Sequence, residues 1–98
     1  MIIVLGRVVV RSGTIAEALA LSQEHVVRSR GEPGCIAHAV HRDTENPDCL
    51  VFVEQWSDAA ALQAHFKVPA SRTFAKALAA LATEAPGMSV FTAAPMPL

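Results

Sequence analysis

Four groups of turn-forming residues divide the 98-residue chain into segments with different apolar spacing. They are Ser12-Gly13, the stretch 31–34, Asn46-Pro47-Asp48 and Pro86-Gly87. Glycine and proline are the strongest local breakers of helices and strands. Between them, the apolar spacing changes from that of a strand to that of an amphipathic helix and back. This order restricts the possible folds more than any other feature of the sequence.

Four segments have the composition and spacing of strands. Residues 2–11 are rich in valine and isoleucine, as in a strand that is covered on both faces. The turn at Asn46-Pro47-Asp48 joins two apolar runs closely enough to predict an antiparallel hairpin. The predicted strands are 2–11, 35–42, 49–56 and 88–94.

Two regions have helical spacing. The first begins at Thr14, which with Glu17 has the spacing of a capping box, and it buries a stripe that ends near Val26. The second helical region begins after Ser57 or Asp58, either of which can serve as its cap, and runs to about residue 66. Proline at position 69 interrupts it. Helical spacing then continues, with Phe74 on the apolar side.

The order β-α-β-β-α-β is the split βαβ plan. It predicts an α+β, ferredoxin-like fold with an antiparallel sheet and helices over one face, as one domain over residues 1–98. Both alternating sets of the first and third strands are largely apolar, so the open face of the sheet also needs to be covered. Hydrophobic residues make up 52% of the chain and charged residues 17%, against about 25% charged in typical domains. A second copy of the chain is the simplest cover, so we expect a homodimer through the sheet faces.

Charge and hydropathy exclude several classes of protein. The net charge is −1 with no basic stripe, so no nucleic-acid partner is expected. No apolar run approaches the roughly 20 residues of a membrane span, and residues 1–5 lack a basic leader and are predicted to be part of a strand. Cys35 and Cys49 are too few for a disulfide scaffold and are predicted to be small buried side chains. We expect a cytoplasmic protein without a membrane partner.

Three short motifs indicate a family. Glu32-Pro33-Gly34-Cys35 resembles the E-x-G-C element of antibiotic biosynthesis monooxygenase domains. The stretch 46–52 with Glu54-x-Trp56 is similar to their strand-turn-strand signature, and Ala64-His65-Phe66, followed by a proline, is similar to their helical motif. The resemblance covers about residues 2–92. It implies a dimeric α/β barrel with a pocket between helices and sheet in each subunit.

The resemblance also implies a function. Known members include cofactor-free oxygenases of anthrone-like polyketides and quinol monooxygenases. We therefore expect a cofactor-independent monooxygenase that uses oxygen on a quinol, phenol or anthrone-like substrate, with no cofactor and no metal. The alternatives are a non-catalytic small-molecule-binding dimer and an isomerase of a small carbonyl compound. Two differences from the family pattern favour the non-catalytic binding dimer. Phe52 stands where some members have Asn, and Ala70 stands where many members have a second His.

The predicted hairpin provides the first candidate for chemistry. With its turn near Asn46, His38 lies opposite Glu54, and Ile36 shares their face. A carboxylate beside an imidazole orients the ring and raises its basicity, as a general base requires. The alternative is a buried His–Glu pair with a structural role.

Aromatic residues and a second histidine supply further candidates. Trp56 and Phe52 would sandwich a flat substrate, although Trp56 is also large enough simply to fill the core. His65, near a helix end, is either a proton acceptor at the pocket or a residue stabilised by the helix dipole. Phe66 would form a wall of the pocket.

Two cations lie on the last helical segment. Lys76 or Arg72 would stabilise an anionic substrate by charge. The alternative is that both are solvated surface residues. His38 and His41 are three residues apart on a strand and point to opposite faces, so a metal site using both is not expected.

Overall fold

The computed structural model describes all 98 residues, and its elements follow the predicted order. The strands are β1 (Ile2–Val9), β2 (Cys35–Arg42), β3 (Cys49–Trp56) and β4 (Gly87–Thr92). The helices are α1 (Ile15–Ser29), α2 (Ala59–Lys67) and α3 (Pro69–Leu81). The predicted bounds of β2 and β3 are confirmed, whereas β1 and β4 each end two residues earlier than predicted.

The strands form one sheet in the order β2-β3-β1-β4, and every neighbouring pair is antiparallel. This confirms the α+β, ferredoxin-like plan. The second helical position is divided between α2 and α3 at Val68, whose backbone is extended (φ −63°, ψ 124°). The division has a steric cause, because Pro69 disfavours the helical conformation of the residue before it. None of the three helices has the length and apolar character needed to cross a membrane.

The core lies between the helices and one face of the sheet. Along β3 the inward residues are buried, and the outward residues Val51 and Val53 are only partly buried. One cluster fills the centre of the domain and a smaller one lies under α2. The larger consists of Val8, Val10, Ala18, Val26, Leu50, Phe52 and Leu78, and the smaller of Val4, Trp56 and Leu62.

A β-bulge changes the predicted start of β2. Cys35 pairs with Trp56 and Ala37 with Gln55, which leaves Ile36 as an extra residue. The prediction that Ile36 shares the inner face is therefore wrong, and its side chain is 56% exposed. Beyond the bulge His38 pairs with Glu54, as predicted.

The two helix starts differ in how they are capped. The predicted capping box of α1 is absent, because the Thr14 hydroxyl donates to the carbonyl oxygen of Arg11 at 2.7 Å instead of accepting from a helix N–H. The α2 helix is capped by Asp58, whose carboxylate accepts from the Ala61 N–H at 2.8 Å. Asp58 is therefore the cap, and Ser57 is not.

Candidate functional site

Three histidines from different elements meet beneath the helices. His25 lies on α1, His38 on β2 and His65 on α2, and all three are buried. One ring nitrogen from each can be chosen so that all three nitrogens lie within 4.8 Å of one another. The chain has four histidines, and three of them are buried side by side, so this cluster is the candidate functional site.

The local sequence explains why each ring points inward. His25 lies on the buried side of α1 with Ser22 and Ser29, three and four residues away. His65 follows the buried Leu62 by three residues on α2. His38 belongs to the inward set of β2, because the bulge at Ile36 is completed before it.

A cavity of about 210 Å³ opens beside the cluster. His25 and His65 line it, and the His25 ring is stacked on Phe74 with ring centroids 4.0 Å apart. Five of the predicted site residues also line this cavity, and three do not. Those that line it are His65, Glu54, Phe52, Phe66 and Arg72; those that do not are His38, Trp56 and Lys76.

Glu54 provides the only carboxylate on the cavity wall. Its Oε1 accepts a hydrogen bond from Trp56 Nε1 at 2.9 Å and lies 3.3 Å from His38 Nε2 and 4.0 Å from His65 Nε2. Burial raises the pKa of this carboxyl, but the nearby His38 ring and the Trp56 N–H outweigh burial and lower the pKa below its ordinary value. Glu54 is therefore a carboxylate in the folded protein.

His38 lies deepest of the three. Its side chain has no exposed surface, and neither ring nitrogen has a hydrogen-bond partner. The 3.3 Å contact with Glu54 is an ion-pair distance, but it lacks the alignment of a hydrogen bond. Buried polar atoms nearly always have partners, so the unsatisfied ring is an unusual feature of this site.

Glu32 orients His65. Its Oε1 lies 2.9 Å from His65 Nδ1. Since a carboxylate can only accept, Nδ1 carries the proton and Nε2 carries the lone pair. The Trp56 ring packs against the other side of the imidazole, with centroids 4.6 Å apart. His65 is therefore held in one orientation, with its basic nitrogen free of hydrogen bonds.

Arg28 connects Glu32 to the second cavity histidine. Its Nη1 donates to Glu32 Oε2 at 3.0 Å, and its Nη2 lies 2.7 Å from His25 Nδ1 and 3.2 Å from the Ser71 hydroxyl. A guanidinium has no acceptor, so His25 Nδ1 carries the lone pair and Nε2 the proton. Burial, the two other histidines and Arg28 together lower the pKa of His25 to about 3.

Sequence reasoning did not single out His25, Arg28 or Ser71, and it treated Glu32 only as part of a motif. A signal for His25 was present, since it lies three residues after Ser22 on the stripe of α1 that faces the sheet. The pairing of Glu32 with His65 had no local signal. The two residues lie 33 positions apart and meet only when α2 packs beside the turn before β2.

Comparison with known proteins agrees with this fold. The chain is 38% identical over 68 residues to the uncharacterized protein sll1783 of Synechocystis sp., a match that covers 69% of this chain and 46% of that protein. The chain thus spans less than half the length of that relative. A crystal structure of an antibiotic biosynthesis monooxygenase superposes with a TM-score of 0.90 at 27% identity, covering 97% of this chain and all of that one.

A third comparison supports the fold alone. Rv0793 from Mycobacterium tuberculosis superposes with a TM-score of 0.90 at 20% identity, covering 97% of this chain and 96% of that one. The sequence model of the family described as antibiotic biosynthesis monooxygenase matches residues 1–77, which include β1 to β3, α1, α2 and all three buried histidines. The chain therefore belongs to the antibiotic biosynthesis monooxygenase family.

Proposed function

We propose that this protein is a cofactor-independent monooxygenase that acts on a small, electron-rich aromatic substrate of the quinol or phenol class. The observation that carries the proposal is the pairing of Glu32 with His65 at the edge of the cavity, 2.9 Å apart. A carboxylate that holds one imidazole nitrogen protonated leaves the other as a proton acceptor, as in the His–Asp part of a catalytic triad. Family membership supports the same class of reaction.

His65 is the general base in this proposal. It borders the cavity, whereas His38 does not. Glu32 is the positioning residue that orients His65, and it takes the place that the sequence assigned to Glu54. The expected contribution of such a base is about 10²- to 10⁴-fold in rate.

The second cavity histidine has the complementary role. Because Arg28 donates to His25 Nδ1, the N–H of His25 is at Nε2. That N–H would donate to the phenolate oxygen formed when His65 takes the proton. Arg72, which also lines the cavity, would add positive charge at its rim. Lys76 lies outside the cavity and has no role here.

The substrate supplies all the electrons. After deprotonation, the phenolate passes one electron to O₂, and the resulting superoxide and aryloxyl radical combine to form a C–O bond at a ring carbon. The ring hydroperoxide then loses the proton from the same carbon, its O–O bond breaks to leave a carbonyl, and the hydroxide takes up a proton. For a quinol the sum is quinol + O₂ → hydroxyquinone + H₂O, in which one oxygen atom enters the product and the other is reduced to water.

The size of the cavity supports a single-ring substrate. An apolar cavity of about 150 Å³ holds benzene, and the present one is about 210 Å³. A substituted single ring therefore fits in the cavity beside Phe52 and Phe74, whose own rings contact each other edge to face with centroids 6.1 Å apart, whereas a three-ring anthrone needs a larger cavity. Trp56 is buried behind the wall and would support His65 and Glu54 rather than sandwich the ring.

The outer face of the sheet supports a homodimer. Its side chains include Leu5, which is 45% exposed, and Phe91, which is 49% exposed, together with partly buried Val51 and Val53. No helix covers this face. A second copy that packs sheet against sheet would bury these residues and leave the cavity, which lies on the helix side, unobstructed.

An isomerase of a small carbonyl compound is the second candidate. The observation that favours it is the presence of Glu54 Oε1 only 4.0 Å from His65 Nε2. Two groups that can exchange a proton beside one cavity would allow removal of a proton from one carbon and its return to another. Such a reaction needs no oxygen.

Oxygen uptake by chelator-treated protein tests the proposed function. Single-ring quinols, phenols and an anthrone would be supplied without cofactor. We expect uptake above the autoxidation blank for a single-ring quinol, reduced at least about 10²-fold in His65→Gln. The control His41→Gln, on the same strand as His38 but exposed, should retain full activity. Uptake at the blank rate, or unchanged uptake in His65→Gln, would reject the proposal.

A further inference from the structure

The proposed reaction uses His25 and His65 but not His38, and the three imidazoles together form a set of metal donors. We propose that His25, His38 and His65 bind one divalent transition-metal ion, such as Zn²⁺ or Cu²⁺, with a carboxylate oxygen of Glu54 as the fourth donor. Nitrogen donors from imidazole with one carboxylate oxygen suit these ions. The proposal goes beyond the monooxygenase function and does not depend on it.

His38 provides the strongest reason. Its side chain is completely buried, and both of its nitrogens lack hydrogen-bond partners. An oxygenase base located at His65 makes no use of this ring, which does not reach the cavity. Because an unpartnered buried polar group is unfavourable, an ion bound to one of its nitrogens would supply one of the two missing partners. His38 therefore points to a ligand that the proposed reaction does not include.

His65 already has the support that metal-bound histidines need. In metal sites the second ring nitrogen usually donates to a carboxylate, which fixes the tautomer and the orientation of the ring. Glu32 accepts from His65 Nδ1 in this way at 2.9 Å and is itself held by Arg28 at 3.0 Å. The free Nε2 lies on the side of Glu54.

The four donor atoms would have to move slightly closer together to bind one ion. Zn–N bonds of roughly 2.1 Å in a tetrahedral site imply donor separations of about 3.4 Å. Glu54 Oε1 and His38 Nε2 are already 3.3 Å apart, and Glu54 Oε1 and His65 Nε2 are 4.0 Å apart. The three histidine donors lie within 4.8 Å of one another, so small side-chain rotations would bring them to a common ion.

Arg28 opposes binding and thereby provides a sharp test. Its contact with His25 Nδ1 leaves only Nε2 for an ion and keeps the proton on that nitrogen. Binding therefore requires that the proton move to Nδ1 and that Arg28 withdraw to its other partners, Glu32 and Ser71. Replacing Arg28 by Gln would remove the cation and offer an oxygen that accepts from Nδ1–H. Arg28→Gln should therefore bind the ion more tightly than the wild type.

Direct titration of chelator-treated protein tests the proposal without any measurement of activity. Co²⁺ would be followed by its visible absorption, and Zn²⁺ by competition with a coloured chelator. We expect one ion per chain, with affinity reduced more than about 100-fold in His38→Ala, since even outer supporting residues contribute about 10- to 100-fold. His41→Ala should bind like the wild type, and Arg28→Gln at least several-fold more tightly.

Four results would overturn the proposal: no saturable binding, equal affinity in the wild type and His38→Ala, a loss in His41→Ala that points to a surface site, or no gain in Arg28→Gln. Circular dichroism of each variant guards against misfolding, because an unfolded chain can also bind metal ions through its histidines. If the protein does not bind the ion, the conclusion from the oxygen-uptake assay still stands. If the ion binds, His65 can no longer accept a proton, so Zn²⁺ should inhibit the proposed reaction.

Discussion

Gly34 sets the path of the turn that carries Glu32 to His65, and replacing it by alanine should be severely destabilising. Its φ is +81°, in the left-handed region that side chains rarely adopt. A Cβ at this position would lie 2.5 Å from Ala61 Cβ and 2.8 Å from Ser57 Oγ. Ala61 is part of α2 and cannot move aside without moving the helix, so the clash adds to the backbone strain.

The size of the loss in the free energy of unfolding follows from a comparison with Gly13. Gly13 has a similar φ of +88°, but a Cβ there would meet nothing within 4 Å. Gly13→Ala should therefore lower the free energy of unfolding by the strain alone, about 1–2 kcal/mol. Gly34→Ala adds about 1–3 kcal/mol for forced packing, for a total of about 2–5 kcal/mol. For a domain of this size, each kcal/mol corresponds to a fall in Tm of about 4–8 °C.

Urea unfolding of both variants, followed by circular dichroism, measures the difference. We expect Gly34→Ala to unfold at a clearly lower urea concentration than Gly13→Ala, with similar slopes. Equal losses for the two glycines would refute the reasoning, since they would show that α2 does not pack against this turn. The position of Glu32 beneath α2 would then also be in doubt.

Three further predictions concern separate features. Glu32→Gln should fold normally but lower kcat in the oxygen-uptake assay at least about 10-fold, because a neutral amide stabilises the charged His65 ring less well. An unchanged kcat would reject the positioning role of Glu32. Trp56→Phe should lower the free energy of unfolding by about 1–3 kcal/mol, because Glu54 loses its buried N–H donor, and a urea midpoint equal to that of the wild type would contradict this. Leu5→Arg, on the outer face of the sheet, should convert the proposed homodimer to monomers in sedimentation velocity, whereas a variant that stays dimeric would contradict an interface on this face.

The hairpin shows how far the sequence determined the fold. Strands β2 and β3 begin and end where predicted, because two apolar runs flank a turn rich in Asn, Pro and Asp. The same register correctly placed His38 opposite Glu54. The predicted register did not include the bulge at Ile36. A bulge depends on how the beginning of the strand packs and has no spacing signal of its own in the sequence.

The candidate site was less predictable than the fold. Its predicted members were residues on strands, in family-like motifs or, for Arg72 and Lys76, on the last helical segment. The network that orients the histidines is built from Arg28, Glu32 and Ser71 on α1, the following turn and α3. These residues look like ordinary solvated helix and turn positions until the helices pack together. Contacts between distant segments carry no local pattern, so only the folded chain reveals them.

Isotope labelling tests the central claim most directly. Chelator-treated protein would be supplied with a single-ring quinol under ¹⁸O₂, and the product analysed by mass spectrometry. A monooxygenase of the proposed kind predicts one labelled oxygen atom in the hydroxyquinone, one equivalent of O₂ consumed and no accumulation of hydrogen peroxide. An unlabelled product would contradict the account: with peroxide release it would indicate a simple oxidase, and without oxygen consumption an isomerase.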